Sequence, residues 1–191
     1  MINPAEVTNY NRTQDELQEF LLFCINVAGK KSSIEAPKLE VFIQRAKDIT
    51  KETSPFNCIK KLIQLGRLQE IMHWAKLSPY KQRYNSYVDV VKLGDLQTVT
   101  LNRLLQVAGI GLKTARFFLS HSREDFDEPM LDTHILQFLR DNGYRNAPKS
   151  TPSNLGVYNY YANIFKMFAR VSGKSVTDLD LEIWKQYSKT S

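Results

Sequence analysis

Apolar residues recur every three or four positions almost from end to end of this chain, and no stretch sustains the strict apolar–polar alternation of a half-buried strand. Such a chain can enclose its apolar side chains only by laying helix against helix, so the expected fold is all-α. Its 191 residues suffice for one large helical domain or two smaller ones sharing a cleft, with a buried core in either case.

Capping residues, glycines and prolines divide the pattern. Thr13 and Glu16 have the spacing of a capping box, so a first helix is predicted over 13–28, with Leu17, Phe20, Leu21 and Cys24 inward and Gly29 closing it. Pro37 reads as the opening of a second helix carrying Leu39, Phe42, Ile43 and Ala46. Ser54-Pro55 starts a shorter segment ending near Gly66, another runs through Ile71 and Trp74, and Pro79 introduces a helix that Gly94 ends. A short helix with Leu101, Leu104 and Leu105 meets Ala108-Gly109-Ile110-Gly111, and helical spacing resumes over 112–120. Asp132 stands where a cap would open a helix containing Ile135, Phe138 and Leu139. A polar loop over 142–154 leads to two last helices, 155–171 and 177–187.

Composition narrows the function classes. Lys and Arg exceed Asp and Glu by 26 to 20, and the formal charge of +6 suits a polyanionic partner. The two cysteines, Cys24 and Cys58, lie far apart among apolar neighbours, so no metal site or iron–sulfur cluster is expected and the thiols read as free and buried. The first twenty residues hold neither a basic leader nor an apolar run suited to secretion, and no apolar stretch is long enough for a membrane span. An intracellular protein without membrane association is expected.

The segment around Gly109 and Gly111 carries the most chemistry. Glycines two apart belong where a backbone turns sharply and another chain comes close, and a side chain at either position is expected to obstruct both. Amides that open onto a helix N-terminus also attract a phosphate. Plain helix-to-helix turns use the same residues, so Lys113 matters: a cation in the first turn opposes the helix dipole by a few tenths of a kcal/mol. Either an amine nucleophile or a simple phosphate contact accounts for it.

With GIGLKTA at 109–115 and LDTHI at 131–135, Asp132 following Lys113 by nineteen residues, the chain resembles the helix-hairpin-helix glycosylase superfamily. That family shows a Gly-Val/Ile-Gly-x-Lys hairpin and, about nineteen residues on, a Val/Leu-Asp-Thr/Val-His. The resemblance implies a two-lobed helical fold with the active-site cleft between the lobes, residues 1–36 and 143–191 forming one and 37–142 the other. It implies that Lys113 attacks C1′ of a damaged nucleotide and forms a Schiff base, after which β-elimination cleaves the strand. Asp132 would take a proton from Lys113 and stabilise positive charge on the sugar, unless it serves only as a helix cap. Gly109, Gly111, Thr114 and His134 would contact the DNA backbone, although a solvent-facing role also suits His134.

A flipped base must be held between flat surfaces and read by polar groups. Trp74, Phe117, Phe118, Tyr158, Tyr160, Tyr161 and Trp184 are candidates for the flat surfaces, though aromatic residues at helical spacing commonly pack as core. The chain is most similar to the compact 8-oxoguanine glycosylases of the archaeal type, on three local matches: Asn26 before Val27-Ala28-Gly29, Phe117 four residues after the lysine, and Asp180 one turn before Trp184. That likeness implies a purine sandwiched by Phe117 and Trp184, with Asp180 and Asn26 reading its polar edges; a solvated helix charge is the alternative for Asp180. Asparagine stands at 26 where the family has glutamine, and the lysine-to-aspartate spacing is shorter than in the archaeal type.

The implied protein is a monomeric glycosylase and lyase acting on damaged double-stranded DNA, with 8-oxoguanine as the lesion and no cofactor. A glycosylase for another oxidised base, a hydrolytic glycosylase and a noncatalytic DNA-binding module are the alternatives.

Overall fold

The computed structural model describes residues 2–3 and 7–187, and the described residues form ten helices and no strand, as the periodicity predicts. None of the described helices is long and apolar enough to cross a membrane. The chain divides into two compact units, one up to Ile110 and one from Gly111 onward. The expected grouping of 1–36 with 143–191 draws on residues of both units.

In the first unit, α1 (Gln14–Val27) is packed by α2 (Ser32–Thr50), α3 (Pro55–Gln64) and α5 (Tyr80–Val90); α4 (Leu68–Trp74) packs on α2 and α5, and α6 (Leu101–Leu104) follows. The capping box forms: the Glu16 amide donates to Thr13 Oγ1 at 3.4 Å and the Thr13 amide donates to the Glu16 carboxylate at 2.7 Å. The sequence predicts a single inward face for α1, yet every residue from Phe20 to Asn26 is buried. Packing by α2, α3 and α5 on several sides at once is the reason.

The second helix departs from expectation. It begins at Ser32, with Lys31 as cap, so Pro37 lies inside it rather than at its start. Proline there forfeits the bond to the Ser33 carbonyl and crowds that carbonyl with its ring. The added turn carries Glu35, 2% exposed, whose carboxylate meets Lys38 Nζ at 2.7 Å and Arg83 Nη2 at 3.3 Å. A carboxylate in a first turn is also favoured by the helix dipole.

The second unit consists of α7 (Leu112–Ser122), α8 (Thr133–Asp141), α9 (Leu155–Val171) and α10 (Val176–Tyr187), with α10 packed on α8 and α9. Phe118, Leu119, Ile135, Leu136, Leu139, Phe165 and Ile183 are buried at 1% exposure or less. Phe138 meets Phe165 and Phe168 edge-on, with centroids 6.2 and 5.1 Å apart. Arg140 on α8 ties down the following loop by donating to the Ala147 carbonyl at 3.2 Å and to the Pro148 carbonyl.

Candidate active site

The hairpin's first half belongs to the first unit. Gly109 has a φ of +81°, and a Cβ added there would lie 2.9 Å from Ser86 Oγ and 3.2 Å from Gln82 Nε2, so glycine is required twice over. The turn is anchored to α5: Ser86 Oγ donates to the Ala108 carbonyl at 2.5 Å, and the Ala108 amide donates to Asp89 Oδ2 at 3.2 Å.

Gly111 corrects the symmetric expectation. Its φ is −96°, ordinary for any residue, and nothing lies within 4 Å of where its Cβ would be. The protein's own backbone makes no demand for glycine at this position. Gly111 is the N-cap of α7 and supplies no side chain, so the first-turn amides are left without a cap from the protein. Lys113 follows as the second residue of the helix, exposed, and Thr114 beside it is half-buried.

Asp132 caps α8 as the sequence predicts. Its Oδ1 accepts from the amides of His134 and Ile135, both at 2.9 Å. The other oxygen, Oδ2, accepts no hydrogen bond among the described residues, so one half of the carboxylate holds the side chain in place and the other half is available. His134 takes part through its backbone amide, and its ring is half-buried.

Asp180 on α10 joins this pair electrostatically. Burial pushes its carboxyl up to about 7, the charge of Asp132 pushes in the same direction, and Lys113 opposes both. No donor reaches the Asp180 carboxylate among the described residues. Asp180 on α10 therefore feels both Lys113 on α7 and Asp132 at the start of α8, all within the second unit.

The aromatic candidates separate sharply. Phe118 and Tyr158 are fully enclosed and Tyr161 is buried, so these three are core, whereas Trp74, Tyr160 and Trp184 are more than half exposed. Phe117 is half-buried and meets His121 edge-on, with centroids 4.4 Å apart. His121, one turn further along α7, has no motif of its own and escaped the sequence reading.

Asn26 lies in the first unit at 0% exposure. Its amide nitrogen donates to the Leu22 carbonyl at 2.7 Å and to the Tyr87 hydroxyl at 2.6 Å, and its side-chain oxygen accepts from Arg83. Arg83 also donates to the backbone carbonyls of Ile25, Asn26 and Ser78. Every polar atom of the Asn26 side chain is engaged inside the protein, and reading a base edge would require these bonds to be released.

No family model matches the chain. Over 94 residues it is 34% identical to the 8-oxoguanine DNA glycosylase/AP lyase of Saccharolobus solfataricus, a match covering 49% of this chain and 45% of that protein. The matched stretch thus spans just under half the length of the relative. Two solved structures share the fold: the Methanocaldococcus jannaschii 8-oxoguanine glycosylase/lyase in complex with DNA containing 8-oxoguanine, with a TM-score of 0.66 at 21% identity, 94% of this chain and 84% of that one being covered, and the 8-oxoguanine DNA glycosylase of Thermotoga maritima, with a TM-score of 0.63 at 24% identity over 96% and 86%. The resemblance drawn from the hairpin and the LDTH segment is borne out, in sequence along just under half of the chain and in fold along most of it.

Proposed function

We propose that this chain excises 8-oxoguanine from double-stranded DNA and then cleaves the strand at the resulting abasic site. The observation that carries the reading is the Lys113–Asp132 arrangement: an exposed amine at a helix N-terminus without a side-chain cap, and a carboxylate with one oxygen fixed by two amides and the other accepting no hydrogen bond among the described residues. The name of the relative and the DNA-bound neighbour support the same lesion.

The first-turn amides of α7 would receive a backbone phosphate, with Thr114 and His134 as further contacts. Asp132 Oδ2 would accept a proton from Lys113, freeing a lone pair on Nζ. That pair forms a bond to C1′ while the glycosidic bond breaks, its electrons leaving with the purine, which takes up a proton. Asp132 hands that proton on to the departing purine and, ionised again, stabilises the positive charge spread over the sugar as the glycosidic bond breaks. Ring opening gives the Schiff base, and loss of a C2′ proton expels the 3′ phosphate.

Phe117 and Trp184 supply the flat surfaces for the base, and Asp180 accepts hydrogen bonds from N1–H and the exocyclic amine when ionised. The experiment that tests the reading is borohydride trapping on duplex DNA carrying one 8-oxoguanine. A covalent adduct is expected with the unaltered protein and none with Lys113→Gln. An adduct on an abasic site but not on 8-oxoguanine would keep the lyase chemistry and remove the lesion; no adduct on either DNA would leave a hydrolytic enzyme or a DNA-binding module.

A further inference from the structure

The residue immediately before Asp132 is held on both of its backbone groups by side chains from elsewhere in the second unit. The Leu131 amide donates to the Tyr158 hydroxyl at 2.9 Å, and its carbonyl accepts from Thr151 Oγ1 at 2.8 Å. The same tyrosine hydroxyl donates to the Pro129 carbonyl at 2.8 Å, so its donor and an acceptor position are both used. Residues 123–131 form neither helix nor strand. No backbone ladder places this segment, and buried backbone groups must find their partners elsewhere.

Tyr158 also touches the helix that carries the lysine. Its ring is fully enclosed and carries the Arg116 guanidinium at 4.2 Å from the centroid. Arg116 is 3% exposed and stands three residues after Lys113 on α7, on the same side of that helix. Its Nη2 donates to Asn159 Oδ1 at 3.2 Å, while Nε and Nη1 have no acceptor among the described residues. A buried guanidinium with two unanswered donors is unfavourable by itself, and the aromatic face beneath it supplies an electrostatic counterpart. The contacts run without interruption from the helix of Lys113, through Arg116 and Tyr158, to Leu131 and Asp132.

We propose that Tyr158 is a positioning residue, setting the place of Asp132 relative to Lys113 by holding Leu131 and Pro129 from α9. The inference rests on the lysine–carboxylate chemistry proposed above. Proton transfer and attack at C1′ depend steeply on that separation, since a misplacement of about 1 Å costs on the order of 100-fold in rate.

The test is Tyr158→Phe, which keeps the ring and the Arg116 contact but removes both hydroxyl bonds. Single-turnover excision of 8-oxoguanine is expected to slow by roughly 10- to 100-fold, with affinity for the same duplex changed by less than about twofold. In an Asp132→Asn background the same substitution is expected to add nothing, because the carboxylate it positions is gone. Thr151→Val, releasing the other side of Leu131, should act in the same direction and serves as the second variant if Tyr158→Phe fails to fold. A rate loss that persists undiminished in the Asp132→Asn background would assign Tyr158 a merely structural role and overturn the proposal. An unchanged rate in Tyr158→Phe, with normal adduct formation by the unaltered protein, would overturn it alone. No adduct from the unaltered protein would remove the lysine–carboxylate chemistry and the positioning role together.

Discussion

The Asp180 carboxyl feels the charge of Asp132: burial is the main reason it is pushed up to about 7, and Asp132 adds to the shift while Lys113 subtracts. Replacing either neighbour therefore has a defined sign. Asp132→Asn should lower the Asp180 midpoint and Lys113→Gln should raise it, as followed by carbon NMR of the Asp180 carboxyl. Shifts of the same sign in both variants would show that the three groups do not share one electrostatic neighbourhood.

The same shift sets a pH dependence of stability. A carboxyl raised from 3.8 to about 7 by folding destabilises the protein when ionised. The penalty is absent below the ordinary value, grows as pH rises through the interval, and is complete above about 7. At 1.36 kcal/mol per pH unit the bound is about 4 kcal/mol, and solvent screening of this half-buried group reduces it to roughly 2. Asp180→Asn should accordingly raise stability at pH 8 and leave it nearly unchanged at pH 4 in urea unfolding. An equal effect at both pH values would contradict the raised carboxyl.

Asp132 has two roles that substitution can separate. Asparagine is nearly as good an N-cap as aspartate, so Asp132→Asn should change unfolding free energy by less than about 0.5 kcal/mol, whereas Asp132→Ala should lose about 1 kcal/mol with the cap. Both variants remove the carboxylate, and both should lower excision by on the order of 1000-fold. Full activity in Asp132→Asn would reduce this residue to a cap.

The two hairpin glycines should respond differently to alanine. Gly109→Ala forces a positive φ on a side chain that also meets Ser86 Oγ at 2.9 Å, and a loss of about 1–3 kcal/mol in thermal or urea unfolding is expected. Gly111→Ala enters open space at an ordinary φ, so it should lose no more than the roughly 0.5–1 kcal/mol by which alanine is the poorer N-cap, while affinity for duplex DNA falls. Unchanged DNA affinity in Gly111→Ala would argue against close approach of a phosphate there.

Asn26→Ala should behave as a core lesion. It strands buried polar atoms of Arg83 and Tyr87, at a loss of roughly 2–4 kcal/mol. Any loss of excision should then apply equally to 8-oxoguanine and to preformed abasic sites under conditions where the variant remains folded. A loss confined to 8-oxoguanine would restore Asn26 as a reader of the base.

Local features of the chain were legible in its sequence because each depends on residues within about one helical turn. The capping box of Thr13 and Glu16, the Asp132 cap, the sharp turn at Gly109 and the limits of α9 all belong to this class. The start of α2 was not, because a proline that usually opens a helix is overridden by the buried pairing of Glu35 with Arg83, forty-eight residues away. Nor was the role of Tyr158, since nothing near it in the chain says that its hydroxyl reaches back twenty-seven residues to Leu131.

By itself the sequence determined the all-helical architecture, the hairpin that presents Lys113 and the nineteen-residue interval to Asp132, because helical periodicity, capping and glycine conformation are properties of short segments. Tertiary structure alone decided which polar groups would be enclosed. Packing turned Asn26 inward against Arg83, left one oxygen of Asp132 without a hydrogen bond among the described residues and brought Asp180 near enough to feel its charge. Desolvation and charge coupling depend on neighbours in space, and in this chain those neighbours come from helices far apart in sequence.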